Sequence, residues 1–257
     1  TKVLTMTVFD KALAAAASGQ PLQTITLLAA PDEHKDRIGS MLFFQGEEIY
    51  GEIISSAFSR QAVDLICRSG PDSPGILAAE GGYQFFCDFV RQPKRAVICG
   101  AGHISVPLTE FLSRLEYDVT VIDDRPEFAN AKRFPQARQV ICNSFAAALA
   151  SVPTDSHTAI IIVTRGHRYD ADCLRILIQR PYAYLGMIGS RRRIAAIRQI
   201  LADEGIGSEQ LQSVCAPIGL DIGAKTPAEI ALSIAAEIIS VSRESTYLPL
   251  SRKEVRS

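Results

Sequence analysis

Ala96-Val97-Ile98-Cys99-Gly100-Ala101-Gly102-His103-Ile104-Ser105 decides the fold. A short apolar run ends at a glycine, a second glycine follows two residues on, and a helical segment from Ile104 to Leu115 comes next. An apolar run without polar alternation suits a strand buried on both faces, as in a parallel sheet. Glycines at the turn let the backbone approach a phosphate, and the helix start offers N–H donors and a favourable dipole. Ser105 stands where the dinucleotide fingerprint has its third glycine. The loop therefore reads as a phosphate- or nucleotide-binding turn, with a full NAD(P) site as the weaker reading.

Outward from this loop the same pattern repeats. Apolar runs recur at Val119-Thr120-Val121-Ile122, Gln139-Val140-Ile141-Cys142, Ala159-Ile160-Ile161-Ile162-Val163, Tyr184-Leu185-Gly186-Met187-Ile188 and Val214-Cys215-Ala216-Pro217-Ile218. Helical segments at Phe145 to Ser151, Asp170 to Gln179 and Arg191 to Glu204 separate them, and Thr226-Pro227-Ala228-Glu229 opens a last helix as a capping box. This alternation predicts an α/β, Rossmann-like, mostly parallel sheet with helices on both faces over residues 93–243. A polar, proline-containing stretch, Arg91 to Arg95, reads as a linker. Residues 1–92 read as a smaller α+β domain. Helices are expected at Val8 to Ala17 and Ser56 to Arg68. Strands are expected at Thr24 to Ala30, Ser40 to Phe44 and Ile49 to Ile54, with a hairpin from Ile76 to Val90. Residues 244–257 read as a polar tail.

Composition narrows the function classes. The chain has 257 residues, 27 Lys plus Arg against 28 Asp plus Glu, and a net charge of −1. That balance argues against bulk nucleic-acid binding, which needs a basic face. No apolar run approaches the ~18 residues of a membrane span, and the N-terminus shows no secretory pattern. The six cysteines form no C-x-x-C pair, so a reduced, cytoplasmic protein without a zinc site is expected. Cys99, Cys142, Cys173 and Cys215 read as small core residues.

Five sets of residues carry the chemistry, all expected at carboxyl ends of parallel strands. Gly100, Gly102 and His103 form the first. Asp123 and Asp124, with Arg125 after them, lie where a ribose-binding acid belongs, a little over 20 residues on. Arg165 and His167 end the fourth run and would meet His103 across the switch point, where they could grip an oxyanion or act in proton transfer. Gly189, Ser190 and Arg191 could hold an anion at a helix start. Gly219, Asp221, Gly223 and Lys225 shape a last loop whose chemistry the residues alone leave undecided. Each set has a bland counterpart: a tight turn, a surface histidine, a capped helix, a solvated lysine.

Taken together, Gly100 to Ser105, Ile122 to Arg125, Ile188 to Arg193 and above all Pro217-Ile218-Gly219-Leu220-Asp221-Ile222-Gly223-Ala224-Lys225-Thr226-Pro227-Ala228-Glu229-Ile230 resemble the xanthine dehydrogenase accessory factor family. The resemblance covers the Rossmann-like part. It implies a non-catalytic chaperone that binds the molybdenum cofactor (molybdopterin). Such a chaperone protects the cofactor while a cysteine desulfurase installs the terminal sulfur, and delivers it to apo xanthine dehydrogenase or a related molybdenum hydroxylase. A homodimer is compatible with it. The alternatives are an NAD(P)-dependent oxidoreductase and a nucleotide-sensing scaffold using the same glycine loop. The N-terminal part departs from the family: a Gly-Gly-Gly-Cys-Leu-Glu-like stretch is replaced by Gly51-Glu52-Ile53-Ile54-Ser55-Ser56-Ala57-Phe58, without the cysteine.

Overall fold

The computed structural model describes residues 22–70, 74–90 and 94–243, with single positions 7, 8, 10, 12, 14, 245 and 247 beyond them. Positions 8, 10, 12 and 14 are helical; the rest of the expected Val8-to-Ala17 helix, Arg91 to Pro93 of the expected linker and nearly all of the tail lie outside the described residues. The chain divides into two units, Thr1–Gln92 and Pro93–Ser257.

The first unit is an antiparallel sheet backed by a helix. Its strands are β1 (Leu22–Ala29), β2 (Met41–Gln45), β3 (Glu48–Gly51), β4 (Gly75–Ala79) and β5 (Tyr83–Val90), in the order β3-β2-β1-β5-β4. Helix α1 (Ser56–Ser69) starts where the Ser55 hydroxyl accepts the Phe58 N–H at 3.2 Å. Its Ala62, Val63 and Ile66 pack on Ile25, Leu27, Leu42, Phe44 and Phe85. A single 3-10 turn over Asp32–Arg37 joins β1 to β2.

The second unit is the expected Rossmann domain. Strands β6 (Lys94–Cys99), β7 (Tyr117–Asp123), β8 (Gln139–Cys142), β9 (Thr158–Ile162) and β10 (Tyr184–Met187) are all parallel, in the order β10-β9-β6-β7-β8. Lys94 and Arg95, read from sequence as linker, begin β6. Helices α2 (Ser105–Arg114), α3 (Phe145–Ser151), α4 (His167–Leu177), α5 (Arg191–Asp203), α6 (Ser208–Ser213) and α7 (Pro227–Ser242) cover the sheet. Strand alternation decides the two faces. Val97, Cys99, Ile160 and Ile162 meet α3, α4 and α5, whereas Ala96, Ile98, Ala159 and Ile161 meet α2 and α7.

Three further expectations change, the first being that the strand expected over Ile49 to Ile54 stops at Gly51. The run Val214 to Ile218 makes no full sixth strand. It runs beside β10 through a parallel Gly186–Cys215 bridge, with Cys215 N–H donating to Leu185 O at 2.9 Å and Ile218 N–H to Met187 O at 3.1 Å. Pro217 brings no N–H to extend that ladder. Cys142 is exposed, because β8 is the edge of the sheet and lacks a covered outer side. Cys99 and Cys173 are buried and Cys215 is half-buried, and burial pushes the Cys215 thiol up to about 11.

Candidate functional site

Strand order reverses between β6 and β9, which are hydrogen-bonded neighbours. In such a sheet ligands bind outside the carboxyl ends at that switch point. The two loop glycines there have different tasks. Gly100 has φ +114°, and a Cβ on it would lie 2.4 Å from Val163 O. The close approach holds Val163 N–H on Cys99 O at 2.8 Å, and only glycine fits. Gly102 faces the other way: a Cβ there would have nothing within 4 Å. Ser105 is no mere lost glycine. Its buried hydroxyl donates to Gly100 O at 2.6 Å and ties the loop to the start of α2.

Asp123 is spent inside the protein. It is 2% exposed. Its Oδ2 accepts Ala101 N–H at 2.8 Å and Arg125 Nη2 at 2.9 Å; its Oδ1 accepts Arg125 Nε at 2.8 Å and Arg125 N–H at 3.1 Å. Burial alone would raise this carboxyl, but the Arg125 fork and the two backbone N–H groups outweigh it and hold the pKa below the ordinary value. The Arg125 guanidinium lies 3.8 Å from the Phe128 ring centroid. Arg133 also stands over Phe128, and its Nη1 donates to Ala101 O at 2.7 Å and Phe128 O at 3.0 Å. Residues 123–133 therefore buttress the glycine loop. Sequence reasoning does not single out Arg133, since nothing in its neighbourhood along the chain marks it.

Asp124 and Arg165 face the crevice instead. Asp124 Oδ2 lies 3.8 Å from Arg165 Nη2, with the Arg165 side chain 53% exposed. The loops after β7 and β9 thus meet across the switch point, and His103 is exposed on the glycine loop between them. His167 opens α4, and its side chain lies outside the described residues. Beneath this loop, Asp170 is wholly buried, accepting from the Thr164 hydroxyl and from Arg193 Nη2. That link joins the β9 loop, α4 and α5, and sequence reasoning misses it, because Asp170 and Arg193 are 23 residues apart.

The other two loops are built differently. The Ser190 hydroxyl caps α5 by accepting Arg193 N–H at 3.2 Å. Arg191 lines a separate groove with Arg198 and Pro217, and Gly189 lies against the Arg193 and Ile194 side chains. Gly219, with φ +100°, sits where a Cβ would meet Ser233 Oγ at 2.4 Å. Its N–H donates to Glu237 Oε2 at 2.9 Å, the Tyr184 hydroxyl donates to the same carboxylate, and Ser233 donates to Leu220 O at 2.6 Å. Burial, then the Glu237 charge, pushes the Tyr184 hydroxyl far up. This loop is pinned onto α7, leaving Asp221, Gly223 and Lys225 exposed. Lys225 N–H and Thr226 N–H both donate to Glu229 Oε2, at 2.7 and 2.9 Å, completing the capping box. Among the described residues, no hydrogen bond or ion pair joins Arg165, Arg191 and Lys225, and the groove that holds Arg191 contains neither of the others.

In the first unit, the stretch Gly51 to Phe58 is held by buried contacts. Ile53 is wholly buried. The Ser59 hydroxyl accepts Ile53 N–H at 2.8 Å and lies 3.0 Å from Ile53 O. Ile54 holds φ +61°, a conformation unusual for a β-branched residue.

The XdhC Rossmann domain family matches residues 96–238. The chain is 31% identical over 181 residues to the uncharacterized protein YqeB of Escherichia coli (strain K12), covering 70% of this chain and 33% of that protein. It is 31% identical over 153 residues to a probable xanthine dehydrogenase subunit of Bacillus subtilis (strain 168), covering 59% of this chain and 44% of that one. It thus spans a third to under half the length of these curated relatives. A solved structure described as a xanthine dehydrogenase from Bacillus halodurans superposes with a TM-score of 0.67 at 22% identity, over 91% of this chain and 66% of that chain. At that identity the likeness is one of fold.

Proposed function

The chain belongs to the XdhC family, and we propose that it is an accessory factor of xanthine dehydrogenase or a related molybdenum hydroxylase. In this reading it binds the molybdenum cofactor and passes it on, with a cysteine desulfurase supplying the terminal sulfur. It turns over no substrate of its own.

The saturation of Asp123 carries the choice of ligand. A carboxylate offers about four lone-pair sites, and four N–H donors already occupy them. At Asp123 the ribose hydroxyls of NAD(P) would have to displace a buried bidentate arginine, which leaves them Asp124, the acid that faces Arg165. That favours the cofactor chaperone over the oxidoreductase.

The crevice suits a pterin that carries a phosphate. Gly102 leaves room for a phosphate against the backbone. Arg165 supplies positive charge, and Asp124 supplies an acceptor for the amino edge of a pterin. His103 stands at the mouth. When bound, the molybdenum centre carries the hydroxylation chemistry of the client; this chain holds and shields it. The stretch Gly51 to Phe58 has no thiol, so in this reading sulfur comes from the desulfurase partner and cofactor holding falls to the Rossmann unit.

Anaerobic titration with isolated molybdopterin tests the proposal, followed by the same titration in excess NADH. Saturable binding that NADH does not displace is expected. No molybdopterin binding, together with normal hydroxylase activity in a strain lacking this gene, would sink it.

A further inference from the structure

A separate groove lies beside α5. Arg191, Ile194, Ala195 and Arg198 follow one another on one face of the helix, and Ala216 and Pro217 form the facing wall, around a volume of about 350 Å³. Arg191 and Arg198 are seven residues apart, about 10 Å of helix rise, and point along the same stripe. Arg198 is oriented by donating from Nη2 to Val214 O at 3.1 Å. Between the two guanidinium groups the floor is apolar: Ile194 is buried, and Ala195 and Pro217 are exposed. Among the described residues, no acid lines the groove, and the first turn of α5 carries none. Glu204, at the far end of α5, is taken by Arg175 of α4 in a two-pronged pair, at 2.5 and 2.7 Å.

We propose that this groove docks an acidic segment of a protein partner, with two carboxylates about 10 Å apart around a small apolar side chain. Charge complementarity argues for it: an uncompensated arginine at each end matches one carboxylate each. The open shape also fits. The groove walls are a helix face and a short strand-edge segment, which suit a chain lying along them. A helical segment with glutamates seven positions apart has the matching spacing on one face. The site lies on a different loop from the glycine crevice, so the proposal does not depend on the cofactor reading.

The test uses the full chain and a fluorescein-labelled helical peptide with two glutamates seven positions apart and a leucine between them. A glutamine version is the control. Anisotropy should report saturable binding of the glutamate peptide alone, weakening as salt rises. Arg191→Glu should weaken it about tenfold or more, since it replaces attraction by repulsion. That variant keeps its fold, because an acid in the first turn agrees with the helix dipole. Arg198→Gln should weaken it as well. Equal binding of the glutamine peptide, or indifference to Arg191→Glu, overturns the proposal. So does displacement of the peptide by pyrophosphate at lower concentration than by unlabelled peptide, which would make the groove a small-anion site. Molybdopterin binding at the crevice should be the same in Arg191→Glu and the unaltered chain.

Discussion

The two glycines of one loop should respond in opposite ways to the same methyl group. In Gly100→Ala the new Cβ would sit 2.4 Å from Val163 O, 2.8 Å from Val163 C and 3.1 Å from Thr164 Cα. All three are backbone atoms, so no side chain can swing aside. Reaching ordinary contact requires β6 and β9 to part by about 1 Å, at the Val163–Cys99 hydrogen bond. Overpacking of this kind costs about 1–3 kcal/mol, and holding alanine at φ +114° adds about 1–3 kcal/mol. The sum, roughly 2–6 kcal/mol, is a large part of a typical domain's stability of about 5–15 kcal/mol. Gly102→Ala meets nothing within 4 Å, so its stability should stay within about 0.5 kcal/mol. It should instead lose molybdopterin affinity by tenfold or more, because the methyl occupies the space a phosphate would use. Urea unfolding followed by circular dichroism gives the first measurement, the chain having no tryptophan. Titration gives the second. A Gly100→Ala protein as stable as the parent would refute the packing argument. A Gly102→Ala protein that binds normally would refute the assignment of the open space to ligand.

Other substitutions read other parts of the same unit. Asp123→Ala strands Arg125 and the Ala101 N–H, and should cost about 3–5 kcal/mol in urea unfolding. Asp123 and Asp155 both lie below the ordinary carboxyl value of 3.8. For Asp155, burial opposes this and the Thr158 hydroxyl, the His157 N–H and Arg95 outweigh it. Their stabilisation is therefore complete above pH 3.8 and lost as pH falls through the lowered folded-state values; an acid titration of Asp123→Ala should show a shallower loss than the parent. Asp124→Asn, by contrast, should leave the unfolding midpoint unchanged while weakening molybdopterin binding. Glu116 is exposed just after α2 with φ +65°; Glu116→Gly should add about 1 kcal/mol and raise the melting temperature by about 2–4 °C, and a drop in melting temperature would count against left-handed strain there.

The Rossmann sheet was legible because its inner strands are buried on both faces, and burial leaves uninterrupted apolar runs such as Ala159 to Val163. Legibility faded where that condition lapsed. The edge strand β8 reads the same in sequence yet exposes Cys142, and Val214 to Ile218 reads as a strand although Pro217 limits its ladder. Within the crevice, sequence could place Asp123 and Asp124 at the right strand end but could not tell them apart. They are chemically identical and adjacent. What separates them is strand geometry: Asp123 is the last residue of β7, in register with Cys142, so its side chain turns in beneath the glycine loop, whereas Asp124 lies one residue past the strand and faces Arg165. The partner that consumes Asp123 is the very next cation, Arg125. Charge identity fixed which groups could act, and only the fold decided which of them are already engaged. The positive charges show the same division: Arg125 and Arg193 serve buried carboxylates, Arg165 reaches the crevice, and Arg191 with Arg198 faces a groove of its own. The near-zero net charge therefore conceals an uneven placement, in which some arginines are spent on buried carboxylates and others stand outside such pairs.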